Sequence, residues 1–80
     1  MKVQILGSGC TKCKLLEEHA RQAVAELGLN AEVVKVSDMD EIMEMGVMMT
    51  PALALDGEVK SAGKLLSKDA IIEVIRKAQA

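Results

Sequence analysis

The spacing of apolar residues changes along the chain, and the changes mark out its elements. KVQIL (2–6) is a short apolar run closed by the glycines of GSG, which predicts a buried strand. From Thr11 to Leu27 the apolar residues Leu16, Ala20, Ala23, Val24 and Leu27 fall on one helical stripe, and Gly28 follows as a C-cap. AEVVKV (31–36) is β-branched and reads as a second strand. Ser37 is expected to cap a short helix with Asp40 and Glu41 in its first turn, running to about Met45 and ended by Gly46. PALAL (51–55), then DG, then EVKSAG (58–63) predicts a β-hairpin, because Asp-Gly is the preferred pair for a two-residue turn. Ser67 then caps a last helix whose buried face is expected to carry Ala70, Ile71, Val74, Ile75 and Ala78. The order β-α-β-α-β-β-α predicts one α/β domain over residues 1–80, with a four-stranded mixed sheet flanked by helices. Its first β-α-β unit should be a right-handed crossover between parallel strands.

Composition narrows what such a domain can do. Eighty residues leave no room for a second core, and half of them are hydrophobic, enough to support one. Aromatic residues are absent, so the core is built from Leu, Ile, Val, Ala and Met, and no ring is available to stack on a base. The net charge is −2 with both signs interspersed, which argues against nucleic acid as a partner. The apolar runs fall far short of the roughly 20 residues of a membrane span. One lysine leads straight into VQIL, so neither a membrane anchor nor a secretion signal is expected, and a cytoplasmic monomer is. In a reducing compartment two nearby cysteines serve catalysis or metal binding more readily than they staple a fold.

The candidate chemistry lies in GSGCTKCKLLEE (7–18), which holds both cysteines. Positions three apart on a helix share a face, so Cys10 at the helix start and Cys13 one turn in can bring their sulfurs to disulfide distance. The helix N-terminus offers unpaired N–H groups and the positive end of the dipole, and Lys12 and Lys14 add charge. Cys10 is therefore the expected nucleophile, with a pKa below the free value of about 8.5, and Cys13 the resolving thiol. Glu17, one turn beyond Cys13, would either oppose a thiolate or assist proton transfer. The competing reading is a soft-metal clip of copper or arsenite type on the same two thiols. A zinc site would need two more ligands, and the single histidine, His19, is rotated away from the sulfur face and reads as a solvated helix residue.

The second signal is MMTPALAL (48–55), where Pro51 opens the third strand and a Thr-Pro bond that can be cis precedes it. With LGSGCTKCKLLEE after the first strand, GVMMTPAL before the third and DGEVKSAGK at the hairpin, the chain resembles a minimal thioredoxin or glutaredoxin. It is most similar to the small archaeal and bacterial thioredoxin-like proteins called redox-active disulfide protein 2. The resemblance covers essentially the whole chain. It implies that Cys10 attacks and Cys13 resolves, that Pro51 is cis and packs beside the disulfide, and that the Thr50 backbone can pair with an extended substrate. Gly63 matches a glycine near the end of the last strand whose small size leaves the site open. The expected activity is thiol-disulfide exchange with no cofactor and no resident metal. The expected partners are disulfide-containing proteins and a reductant of thioredoxin-reductase or other dithiol type.

This chain departs from thioredoxin proper in two places. Gly9 stands where thioredoxin has an aromatic residue, with Thr11-Lys12 in place of Gly-Pro, and Gln4 occupies the position of a buried carboxylate. The couple is thus expected to be tuned differently. Gly9, Thr11, Met48 and Met49 are the expected substrate-facing surface, with Lys12, Thr50, Pro51 and Gly63 in support. The run Met39, Met43, Met45, Met48, Met49 can be read as filler for a core without aromatics, as an adaptable docking surface or as thioether ligands. A heavy-metal-associated domain also carries C-x-x-C at a first helix, but it ends on a strand and has no use for the Thr-Pro.

Overall fold

The computed structural model describes residues 1–7 and 11–79. The elements in chain order are β1 (Lys2–Leu6), α1 (Thr11–Leu27), β2 (Glu32–Val36), α2 (Met39–Glu44), β3 (Ala52–Leu55), β4 (Glu58–Ala62) and α3 (Lys68–Gln79). The strands form one mixed sheet in the order β2-β1-β3-β4. β1 runs parallel to β2 and antiparallel to β3, and β3 pairs antiparallel with β4. The expected α/β architecture with a four-stranded mixed sheet is the observed one.

Side-chain alternation along the central strands sorts the core onto two faces. Val3 and Ile5 of β1 and Leu53 and Leu55 of β3 pack with Leu16, Ala20, Ala23 and Val24 of α1 and Ile71, Ile72 and Ile75 of α3. Leu6, Ala52 and Ala54 point to the other face, where they meet Val36, Ile42 of α2 and Val47. PALAL therefore sends leucines to the two-helix side and alanines to the one-helix side, as a strand's period of two requires. All four β3 residues are buried because both faces are covered. The edge strand β4 is half exposed, and its pairing slips between Leu53 and Ala54. Since Leu53 pairs with Ser61 and Ala54 with Val59, Lys60 is the extra residue of a bulge.

Local signals place most boundaries. α1 and α2 both end in paired backbone bonds: Leu29 N–H to Val24 O and Gly28 N–H to Ala25 O, then Val47 N–H to Ile42 O and Gly46 N–H to Met43 O. These are Schellman closures, with a left-handed glycine at each. The Asp56–Gly57 turn has positive φ at both residues, the two-residue geometry that matches strand twist. It is tied to β1 by Lys2 N–H to Asp56 Oδ1 (2.7 Å), Asp56 N–H to Lys2 O (2.9 Å) and Gly57 N–H to Gln4 Oε1 (2.6 Å). Ser67 caps α3 as expected, its hydroxyl accepting from Ala70 N–H at 3.2 Å.

Four expectations are corrected. The cap of α2 is Asp38, whose carboxylate accepts from Asp40 N–H at 2.9 Å, and not Ser37 one residue upstream. On α3 the buried residues are Ile71, Ile72 and Ile75, while Ala78 is exposed, because α3 packs against α1 as well as against the sheet. His19 is not a solvated helix residue: it is half-buried, with Nδ1 2.9 Å from Leu66 O, and so ties α1 to the segment leading into α3. The strand expected at 51–55 begins at Ala52, with the buried Pro51 just ahead of it. A surface pair, Lys68 Nζ to Glu26 Oε2 at 2.9 Å, also bridges the two helices. By hydrogen bond and then by charge, Glu26 raises the Lys68 pKa above its ordinary 10.5.

Candidate active site

The site lies where three segments converge: the end of β1, the first turn of α1 and the loop leading into β3. β1 carries the chain inward and Gly7 continues its sheet pairing, donating to Val36 O at 2.9 Å. Cys10 and Gly9 lie outside the described residues. Thr11, Lys12 and Lys14 are exposed on the first turn of α1, and no acidic residue sits in that turn to offset the dipole.

Cys13 points the other way. It is 1% exposed and stands at the head of the stripe that continues through Leu16, Ala20 and Ala23. Its sulfur packs so closely on Gly7 that a Cβ there would clash with Sγ, and would lie 3.1 Å from the Cys13 Cβ and 3.9 Å from the Thr50 Cβ. β1, α1 and the β3 entrance therefore come together at Gly7, with the Cys13 sulfur and Thr50 both beside it.

The β3 entrance carries a cis Thr50–Pro51 peptide with Pro51 buried and Thr50 exposed. Pro51 O accepts from Gly63 N–H at 2.9 Å, extending the β3–β4 pairing past Ala62. Gly63 has φ +74, and a Cβ there would stand 3.1 Å from the Met49 Cβ and 3.2 Å from its Cε. Its smallness seats Met49, which remains 65% exposed, while Met48 is 97% exposed. Of the two methionines ahead of Thr50, Met49 is the one packed on Gly63.

The structure thus brings together Cys13, Thr50, Pro51, Gly63 and Met49. Lys12, Thr11 and Met48 are exposed and carry no described contact with that group. Glu17, read as a possible proton partner for Cys13, is held by Arg21 at 3.2 Å. Gln4 turns its carbonyl oxygen to Gly57 at the hairpin and so is committed to that turn. Among the described residues no three His, Cys, Asp or Glu side chains converge to hold a metal ion. The sequence pattern marks Gly7 only as a strand terminator. The signal that could have found it is a glycine directly after a buried strand and six residues before a cysteine on the buried stripe of the next helix.

A family model for a thioredoxin domain matches residues 1–76. The chain belongs to the thioredoxin family. A thioredoxin of Methanothermobacter thermautotrophicus is 48% identical over 75 residues, covering 94% of this chain and 97% of that protein. A thioredoxin of Methanocaldococcus jannaschii is 42% identical over 74 residues, covering 92% of this chain and 85% of that protein. Membership makes the chain a protein-disulfide oxidoreductase, acting on disulfide substrates and drawing on a reductant. The thioredoxin sheet explains why a thiol, a buried proline and a glycine from three distant segments share one end of the molecule. Among the described residues, no helix is long and apolar enough to cross a membrane.

Proposed function

We propose that this thioredoxin-family chain works in the cytoplasm as a single-domain monomer and exchanges disulfides through Cys10 and Cys13. The Cys10 thiolate attacks a substrate disulfide and forms a mixed disulfide. The Cys13 sulfur then attacks Cys10, releasing the reduced substrate and leaving Cys10–Cys13 oxidised; a thioredoxin-reductase-like or other dithiol reductant restores the pair. The observation that carries this reading is the burial of Cys13, at 1% exposure, beside the cis Thr50–Pro51 peptide. A thiol so enclosed is out of reach of an external disulfide, which suits a resolving role. Attack then falls to Cys10, with Lys12 and the α1 N-terminus favouring its thiolate. Gly9, Thr11, Met48 and Met49 form the face a substrate meets, with the Thr50 backbone pairing to an extended segment and Gly63 keeping the approach open.

Trapping tests it. Cys13→Ser should accumulate mixed disulfides through Cys10 when offered protein disulfides, visible as adducts by mass spectrometry and reversed by dithiothreitol. A Cys10 that resists alkylation at neutral pH, or a pair that binds copper(I) tightly with no reversible two-electron couple against glutathione, would reject the reading.

A further inference from the structure

Gly7 does more than end a strand. The backbone conformation there lies outside the left-handed region, so any residue could adopt it and space alone decides what is tolerated. That space is taken: the Cys13 sulfur sits within clashing distance of the position a Gly7 Cβ would occupy. The strand cannot easily retreat, because Gly7 N–H is bonded to Val36 O at 2.9 Å and its neighbour Leu6 is fully buried. Thr50 stands close by, its Cβ 3.9 Å from the position a Gly7 Cβ would take.

Resting on the exchange reading above, we propose that Gly7 is a positioning residue for the second chemical step, its bare Cα forming the seat from which Cys13 attacks. In that step Cys13 gives up its proton to solvent. Its sulfur bonds to Cys10 Sγ as the Cys10–substrate bond breaks. The electron pair of the broken bond leaves on the substrate thiolate, which takes up a proton. No external oxidant or reductant enters, so the rate depends on where the attacking sulfur waits and on its access to Cys10. A methyl group at residue 7 would drive Sγ out of this rotamer into another staggered well, and displacements of about 1 Å can cost an oriented reaction about 10²-fold. The first step joins Cys10 to the incoming disulfide without the Cys13 sulfur, and does not draw on the seat.

A single turnover with one equivalent of 5,5′-dithiobis(2-nitrobenzoate) separates the steps. Attack releases one thionitrobenzoate and resolution releases the second. Gly7→Ala is expected to keep the first release within about twofold of wild type and to slow the second at least tenfold, the asymmetry that in-line displacement predicts. A second release at the wild-type rate, or both releases slowed alike, overturns the proposal. A stability cycle checks the contact itself: Cys13→Ala removes the sulfur, so Gly7→Ala should be far less destabilising in that background than alone. Equal destabilisation in both backgrounds overturns the seat. Should Gly7→Ala alone fail to fold, recovery of folding in the double variant supports it and failure of the double overturns it. A second release from Cys13→Ser would overturn the exchange reading, and this proposal with it, and is distinguishable because Gly7 is unaltered there.

Discussion

The two faces of the sheet are built to different depths. On one side α1 and α3 cover Val3, Ile5, Leu16, Leu53, Ile71 and Ile75, all under 2% exposed. On the other side the six-residue α2 covers Leu6 and Ile42, supported by the smaller Ala52, Ala54, Val36 and Val47. The alternating Leu and Ala of β3 are the covalent record of that asymmetry. The thicker side holds most of the apolar burial, the dominant favourable term in folding. The thinner side runs directly from Val47 into the exposed Met48 and Met49 and the cis Thr50–Pro51 peptide. One face stabilises the molecule, and the margin of the other carries the loop that approaches Cys13.

Truncation should break this asymmetry most visibly. Leu53→Ala is expected to cost about 2–5 kcal/mol by leaving a cavity among α1, α3 and the sheet. Ile42→Ala should fall at the low end of that range, because α2 is short and can settle onto the alanines beneath it. Urea unfolding of both variants decides the matter: an Ile42→Ala loss equal to or above that of Leu53→Ala would show that the two faces contribute alike. At a total stability of about 5–15 kcal/mol for a small domain, the Leu53 variant should be visibly closer to its unfolding midpoint.

A smaller effect sharpens the thin face. Asp38→Ala removes the α2 cap and should cost about 0.5–2 kcal/mol, whereas Ser37→Ala should stay within about 0.5 kcal/mol. The reverse ranking by denaturant titration would return the cap to Ser37. Met43→Gln and Met48→Gln, at 68% and 97% exposure, should each leave stability within about 0.5 kcal/mol. A larger thermal shift would mean that the methionines support the thin core and do not simply border it.

The smallest effect belongs to the bridge between α1 and α3. Lys68→Met removes the surface pair with Glu26, and its small cost should shrink further as salt is raised. Because Glu26 raises the Lys68 pKa, the pair's contribution is present below the ordinary lysine value of 10.5 and is lost as pH climbs through the folded value. Wild type and Lys68→Met should therefore converge in melting temperature at strongly alkaline pH, and a difference that persists there would point to lost packing of the lysine stem.

Where local chemistry decides, the structure was readable in advance. α1 spans Thr11–Leu27 because its stripe and Gly28 leave no alternative, and Asp56–Gly57 turns the hairpin through left-handed backbone. Where a distant segment supplies the partner, the local pattern carries no sign of it. His19 faces Leu66, 47 positions away, and helical periodicity carries no trace of that carbonyl. Gln4 answers to Gly57, 53 positions away, so its match to a buried carboxylate by position said nothing of what it would bind. Ser37 and Asp38 are both good caps by type, and only the extended backbone of Asp38, with φ −74 and ψ 116, separates them.

The sequence by itself determined the element order, the alternation that makes the sheet two-faced, and the C-x-x-C at a helix start with a Thr-Pro before the third strand. Each is a short-range pattern, written in period, turn residues or spacing. Only the tertiary structure decided that Cys13 is enclosed, that its sulfur and Thr50 both lie against Gly7, and that Gly63 seats Met49. Those contacts join residues that share no periodicity and lie up to 43 positions apart, from Gly7 to Thr50. They exist because parallel β1–β2 pairing and the antiparallel return of β3 bring one end of each segment to the same edge of the sheet.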